Sequence, residues 1–376
     1  MAKKKSEKKN AVDFTLFLSI MILVFIGIIM VFSASWPEAM QKFDNGYWFL
    51  RKQVISASLG FIALIIFMNF DYRYFKKLAF PIFILAIIIG LLIFSPLGVV
   101  EKGARRWLEI FGFRFMPSDL IKLGSIIFFA AFLSNKKDRI STLLYGTIPG
   151  LFIIGISCGL IYLQKDLGTT IVLAVTLMAM FFVAGLKLSH MFTLGAGAAS
   201  LLYFAITSDS EGNKYRMERW TAFLDPFADK LDTGWQAVQS LYAIGSGGLF
   251  GLGLGKSRQK FFYIPESYND FIFSIIGEEL GFLGAFVVIF LFLIVIWRGI
   301  VIALKIEDTF GCFLTTGITA LIATQSLIHI AVTTSSIPTT GITLPFVSYG
   351  GTSLVIYMAA IGILLNISRH INLEGS

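Results

Sequence analysis

Charge is scarce in this sequence: Asp, Glu, Lys and Arg together make up 14% of 376 residues, where a soluble domain carries about 25%. So few charges cannot cover a water-facing surface, which argues against a soluble enzyme, a disordered protein or a fibrous repeat. Cysteine is scarcer still. Cys158 and Cys312 both fall inside apolar stretches without metal-ligand spacing and read as small packing residues. His190, His329 and His370 are scattered and form no ligand set. No fixed-period repeat is visible, and no low-complexity stretch beyond the basic N-terminus. Apolar residues fill the space: 56% of the chain, before its 35 glycines are counted. This is the composition of a polytopic membrane protein.

The net charge of +8 suggests nucleic acid at first, but Lys3, Lys4, Lys5, Lys8 and Lys9 stand directly before an apolar run and read as a topogenic cluster. That run, Phe14 to Phe32, is longer than the roughly 7–15 residues of a signal-peptide core, so it reads as a retained first span. A hydrocarbon core about 30 Å thick takes roughly 20 residues of helix. Laid along the sequence, that ruler predicts an all-α protein of about ten spans, near 14–32, 53–70, 78–94, 117–134, 144–163, 167–185, 190–207, 271–297, 309–331 and 350–367. An even number puts both termini on one side. Placing them in the cytoplasm leaves 15 basic residues inside against eight in the short outer loops, as the positive-inside rule requires. The whole chain, 1–376, reads as one integral membrane domain with a basic cytoplasmic N-terminus at 1–13. Residues 208–270 form a large extracytoplasmic loop between spans seven and eight.

Several motifs carry chemistry. Lys102, Arg105, Arg106 and Arg114 cluster on the outer side, against the topology rule. They fit either pairing with Glu101, Glu109 and lipid headgroups or an anionic ligand, since an Arg fork matches phosphate oxygens. The Gly-rich run Gly245 to Ser257 fails as a nucleotide loop because Phe250 stands where both phosphate-binding patterns need glycine; it reads better as flexible backbone near lipid or ligand, with close packing as the plainer account. Asp119 and Lys122 form an i, i+3 pair at membrane depth, equally suited to a structural ion pair or a ligand contact. Glu278 and Glu279 point about 100° apart on a helix and need different partners. Asp270 opens the eighth span, where a helix cap is a sufficient explanation; the nearby Arg258, Lys260 and Glu266 add weight to a catalytic one. Thr333 to Gly351 is a long uncharged segment at the membrane edge, where nonhelical backbone lines a cavity or is covered by protein.

Read together, Gly103-Ala104-Arg105-Arg106-Trp107-Leu108, Pro117-Ser118-Asp119 with Lys122, Asp166-Leu167-Gly168-Thr169, Asp270-Phe271-Ile272-Phe273 with Gly277-Glu278-Glu279-Leu280-Gly281, and Leu344-Pro345-Phe346 through Ser348-Tyr349-Gly350-Gly351 resemble the SEDS family of shape, elongation, division and sporulation proteins. The resemblance spans nearly the whole chain, and Ser257 to Glu266 looks like the FtsW/SpoVE branch more than RodA. It implies a ten-span peptidoglycan glycosyltransferase that polymerises lipid II at the septum of the bacterial cytoplasmic membrane. Its substrates would be lipid II and a polyprenyl diphosphate-linked glycan. Its partners would be a class B penicillin-binding protein transpeptidase and other divisome proteins, with no role for nucleic acid. Asp270 matches the essential aspartate, and Arg105, Arg106, Asp119, Lys122 and Asp166 match functionally sensitive polar positions; Ser348 joins them as a substrate-binding candidate within its motif. Glycan extension requires a base for the acceptor hydroxyl and positive charge for the departing diphosphate. Asp270 is the candidate base, and Arg105, Arg106, Arg258 and Lys260 are the leaving-group candidates. A divalent cation, Mg or Mn, would share the latter role. Lys165 stands where the family usually has Pro, Met116 where it has Gln, Asp119 where it has Glu and Asn269 where it has Thr; the shorter Asp119 bears on the geometry of its pair with Lys122. A lipid II flippase and a noncatalytic division scaffold are the alternative readings.

Overall fold

The apolar runs form helices capped where the sequence supplies acceptors. The Asp13 carboxylate accepts from Leu16 N at 3.0 Å to start α1 (Phe14–Phe43). There follow α2 (Trp48–Asn69), α3 (Arg73–Leu91), α4 (Pro117–Lys136), α5 (Ile148–Leu163), α6 (Leu167–Val183), α7 (Trp235–Ser246), α8 (Ile272–Lys305), α9 (Thr309–Thr333) and α10 (Gly351–Ser368). The structure is a computed structural model that describes residues 10–101, 104–110, 112–187 and 234–371, with scattered positions between 189 and 227. The basic cluster Lys3 to Lys9, Lys102, Gly103, most of the run expected at 190–207 and much of the loop 208–233 lie outside the described residues.

Eight helices among the described residues are long and apolar enough to cross a membrane, counting the short helical turns that extend α3, α4 and α5. α6 is equally apolar but has only 17 residues. Asn10 N donates to Arg369 O at 3.0 Å and Asp13 N to Ser368 Oγ at 3.1 Å, so the two ends of the bundle's chain meet on one side. α2 and α10 approach closely through glycine: a Cβ on Gly362 would stand 2.5 Å from Leu64 O, and one on Gly60 would stand 2.5 Å from Met358 Sδ. Small residues at such crossings let helix backbones pack in a solvent that offers no hydrophobic drive between helices.

α1 and α8 run antiparallel and are joined at two levels. Arg298 Nε meets Asp13 Oδ2 at 2.7 Å near one end, and Ser33 Oγ donates to the Glu279 carboxylate at 2.6 and 2.8 Å near the other. The residues between these rungs span on the order of 30 Å at 1.5 Å per residue, one hydrocarbon thickness.

Two features were not legible as runs. Between α3 and α4 the chain makes an antiparallel three-stranded sheet, β1 (Gly98–Glu101), β2 (Ala104–Ile110) and β3 (Phe113–Phe115), anchored by fully buried Leu108. α8 is broken at Gly281, whose φ of 69° lies in the left-handed region. A break strands backbone groups, and the Gly-rich run satisfies them. Leu252 N and Gly253 N donate to the carbonyls of Glu278 and Glu279, while Phe282 N and Leu283 N donate to Gly248 O and Leu249 O, all at 2.8–3.2 Å. A Cβ on Gly247 would stand 1.9 Å from Gly277 O, and one on Gly251 would stand 2.2 Å from Glu279 O. The run is therefore tightly packed main chain rather than flexible backbone. Glycine is needed there because the strand lies against the broken helix.

Candidate active site

The uncharged segment after α9 is the piece around which the charged positions are arranged. It is covered by protein: Leu344, Phe346 and Val347 are buried, and Gly27 of α1 passes so close that a Cβ there would stand 2.6 Å from Phe346 O. One face of α9 holds it. Gln325 Nε2 donates to Thr343 O at 2.9 Å, and His329 Nδ1 lies 2.7 Å from Ile342 O. A carbonyl only accepts, so His329 Nδ1 is the donor.

Asp270 lies beside this segment. A Cβ on Gly341, which has φ of 71°, would stand 3.5 Å from Asp270 Oδ2. The helix-cap explanation does not hold, because the N-cap position of α8 is Phe271, which has no capping side chain. Asp270 is half-buried in the turn just before, with its N–H donating to Glu266 O at 3.2 Å. Ser348 ties this turn to the segment: its Oγ donates to Asn269 O and accepts from Leu344 N, both at 2.8 Å. It is thus a staple beside Asp270. Tyr349 N donates to Tyr268 O at 3.0 Å, and the rings of Tyr268, Tyr349 and Phe49 cluster at 4.6–5.7 Å between centroids. Burial, reinforced by the Glu38 and Glu266 carboxylates, raises the Tyr268 phenol well above its ordinary pKa; burial pushes Tyr349 up to about 12.

On the other side of the segment sits Asp166. It caps α6, accepting from Thr169 N at 3.1 Å and Thr169 Oγ1 at 2.8 Å. Its neighbour Gly168 faces the segment so closely that a Cβ would stand 2.9 Å from the Ile342 side chain and 3.2 Å from Thr340. Arg106 reaches this corner from β2, donating through Nη2 to Lys165 O at 2.7 Å. Lys165 has φ of 59°, a conformation closed to proline. Arg105 precedes Arg106 on the strand, directed to the opposite face, and is exposed. Arg114 pairs with Glu109 at 2.7 Å, the plainer of the two readings of that cluster.

Asp119 and Lys122 are both buried on α4, 2.8 Å apart, so the shorter carboxylate still reaches its lysine. Lys122 also donates to Gln325 Oε1 at 3.0 Å and Tyr357 Oη at 3.1 Å, which links α4 to α9 and α10. Through Gln325 this pair is connected to Thr343 of the central segment.

Lys260 also belongs to a buried ion pair. Its ammonium is buried against Glu279 at 2.8 Å and Ser33 at 3.1 Å, so its charge is already paired within the protein. Glu278 accepts from Ser257 Oγ, from Arg258 N at 2.8 Å and from Gln259 N at 3.4 Å. The two glutamates do take different partners, and together they clamp the turn 257–260. The Arg258 side chain is exposed.

Among the described residues, Thr340 Oγ1 in the segment and Asn269 Oδ1 beside it are buried without a partner, as are Ser118 Oγ and Asp119 Oδ2 on α4 and Arg106 Nε on β2. Gln325, His329 and Tyr357 were not singled out from the sequence. The spacing of Gln325, His329 and Thr333, polar residues four apart in an apolar span, was the available signal. Among the described residues no three His, Cys, Asp or Glu side chains converge as metal ligands. The described residues alone therefore do not make a protein-built cage for Mg or Mn.

This arrangement can be set beside known proteins. A family model described as cell cycle protein, covering FtsW, RodA and SpoVE, matches residues 14–373. The chain belongs to the FtsW/RodA/SpoVE family. Stage V sporulation protein E of Bacillus subtilis (strain 168) is 42% identical over 96% of this chain and 98% of its own length. A probable peptidoglycan glycosyltransferase FtsW of Geobacter sp. (strain M18) is 40% identical over 95% of this chain and 96% of its own length. Among solved structures, a chain from a peptidoglycan synthase complex that coordinates polymerization and crosslinking superposes with a TM-score of 0.77, at 26% identity over 96% of this chain and 98% of that one. The rod shape determining protein RodA of Thermus thermophilus shares the fold, with a TM-score of 0.71 at 24% identity over 97% of this chain and 99% of that one. The multi-pass membrane fold of this FtsW/RodA/SpoVE member thus agrees with its relatives along almost its entire length.

Proposed function

We propose that this protein is a peptidoglycan glycosyltransferase that polymerises lipid II into glycan strands for septal wall synthesis in division or sporulation. Asp270 takes the proton of the acceptor sugar hydroxyl as that oxygen bonds to the anomeric carbon of the donor, and the donor's bond to its polyprenyl diphosphate breaks. The observation that carries this reading is the seating of Asp270 against Gly341, with the unsatisfied buried Thr340 Oγ1 and Asn269 Oδ1 in the residues next to each. Each such atom costs about 1–3 kcal/mol while unpaired, a cost that a sugar or diphosphate placed among them relieves. Arg105, Arg106 and Arg258 are the guanidinium groups left to stabilise the diphosphate, Lys260 being already paired with Glu279. Asp119, Lys122, Asp166 and Ser348 hold the central segment and its flanks and so position Asp270. The names of the relatives support the activity, as does the coordinated synthase complex that shares the fold. A class B penicillin-binding protein would crosslink the product alongside, with other divisome proteins, and both chain ends would face the cytoplasm in a ten-span topology. A well-positioned base contributes about 10²–10⁴ in rate. Asp270→Asn should therefore lower polymerisation of labelled lipid II by that factor while leaving the melting behaviour intact; near-normal polymer from the folded variant would refute the base assignment.

A further inference from the structure

The Gly-rich turn that fills the break in α8 also carries an apolar surface that no other described part of the protein covers. Leu249, Phe250, Leu254, Phe261 and Phe262 are each more than half exposed, with exposed Lys256 and Arg258 between them. Its height is fixed by the two rungs joining α1 and α8. The Asp13–Arg298 rung and the Ser33–Glu279 rung stand about one hydrocarbon thickness apart. The turn is bonded to α8 at residues 278–283, so it lies at the level of the second rung, the boundary between acyl chains and headgroups. From there the exposed apolar face runs directly into Phe282, Phe286 and Phe290, which stack down the outer side of α8.

We propose that residues 248–263 are an interfacial anchor seated in the bulk phospholipid leaflet on the Asp270 side. Its aromatic and leucine side chains enter the headgroup–acyl boundary, and Lys256 meets lipid phosphates. The pattern fits a lipid surface rather than a protein groove: apolar tips alternate with basic residues, no acidic side chain stands among 248–263, and the patch is continuous with a lipid-facing helix. The anchor has a mechanical consequence. Glu278 and Glu279 grip the return of the turn, and the half-helix they end begins two residues after Asp270. The leaflet thereby sets the height of Asp270.

The test reads position rather than activity, so it stands apart from the proposed reaction. Single cysteines replace Phe250 or Phe261 in the full chain, with Cys158→Ala and Cys312→Ala, and carry a spin label. The protein is placed in vesicles of phosphatidylethanolamine and phosphatidylglycerol, and collision with oxygen is compared with collision with a water-soluble nickel chelate. Gln41, exposed in the last turn of α1 beyond the second rung, supplies the aqueous reference; Phe290 supplies the mid-membrane reference. The oxygen-to-nickel ratio at positions 250 and 261 should be several-fold above that at 41 and below that at 290. A ratio equal to that at 41 would overturn the anchor. So would a ratio equal to that at 290, or protection from both reagents, which a covering protein would produce.

Discussion

If Lys260 is structural, removing its charge alone should damage the fold, and removing Glu279's charge at the same time should repair most of that damage. Both side chains are buried, 4% and 0% exposed, with 2.8 Å between the charged atoms. Breaking a buried pair from one side costs about 3–5 kcal/mol because the remaining charge has no counterpart. Glu279 keeps hydrogen bonds from Ser33 Oγ and Ser257 N, so Lys260→Met should fall near the lower end, about 3 kcal/mol. Glu279→Gln leaves the lysine buried with Ser33 and should cost a similar amount. The double variant should lie within about 1–2 kcal/mol of wild type, because neutral isosteres of a buried pair are often tolerated. Denaturation of all four proteins in detergent, closed as a double-mutant cycle, gives the coupling energy. Lipid II polymerisation by the double variant separates structure from catalysis. Additive losses would refute the ion-pair account. A double variant that is stable but makes no polymer would return Lys260 to the chemistry of the leaving group.

Gly281→Ala should be among the most damaging single changes, since its methyl would stand 2.3 Å from Gly251 N in a backbone conformation already unfavourable for alanine; loss of the monodisperse peak on size exclusion reads this, and normal yield and melting would contradict the inserted turn. Ser348→Ala removes two 2.8 Å hydrogen bonds and leaves Leu344 N and Asn269 O unpaired. It should cost about 1–3 kcal/mol and lower kcat more than it raises KM, and unchanged kinetics would oppose a positioning role. Tyr349 keeps its proton in the fold to a pH near 12, while the unfolded phenol loses it near 10. Stability contributed by the neutral phenol is thus complete below the unfolded value and falls as pH rises through this window. Melts between pH 9 and 12 should steepen downward in wild type and less so in Tyr349→Phe; identical slopes would contradict the assignment.

The eight spans found among the described residues were legible because hydrophobic length is a one-dimensional signal, and helices begin close to where Phe14, Pro117, Leu167 and Thr309 stand in the sequence. The small sheet was not, since its strands of four, seven and three residues carry arginines and no sustained alternation. The break in α8 was hidden because the apolar run continues on both sides of Gly281; only the main-chain bonds from a distant glycine run reveal why the helix stops there. Asp270 was found by its motif, while its relation to Gly341 depends on tertiary packing across 71 residues of chain. The pairing of Lys260 was hidden for a similar reason: its partners Ser33 and Glu279 come from two distant helices, and charge alone does not say which basic residue is already paired.

The central claim is that Asp270 is the base of a glycan polymerase. The measurement that bears on it most directly is polymerisation of labelled lipid II by the purified protein with its cognate transpeptidase, crosslinking blocked, comparing wild type with Asp270→Asn and resolving glycan length on a gel. Polymer from wild type and none above background from the folded variant is the predicted result. Equal polymer from both would contradict the assignment of Asp270, and no polymer from either in an intact complex would contradict the polymerase reading itself.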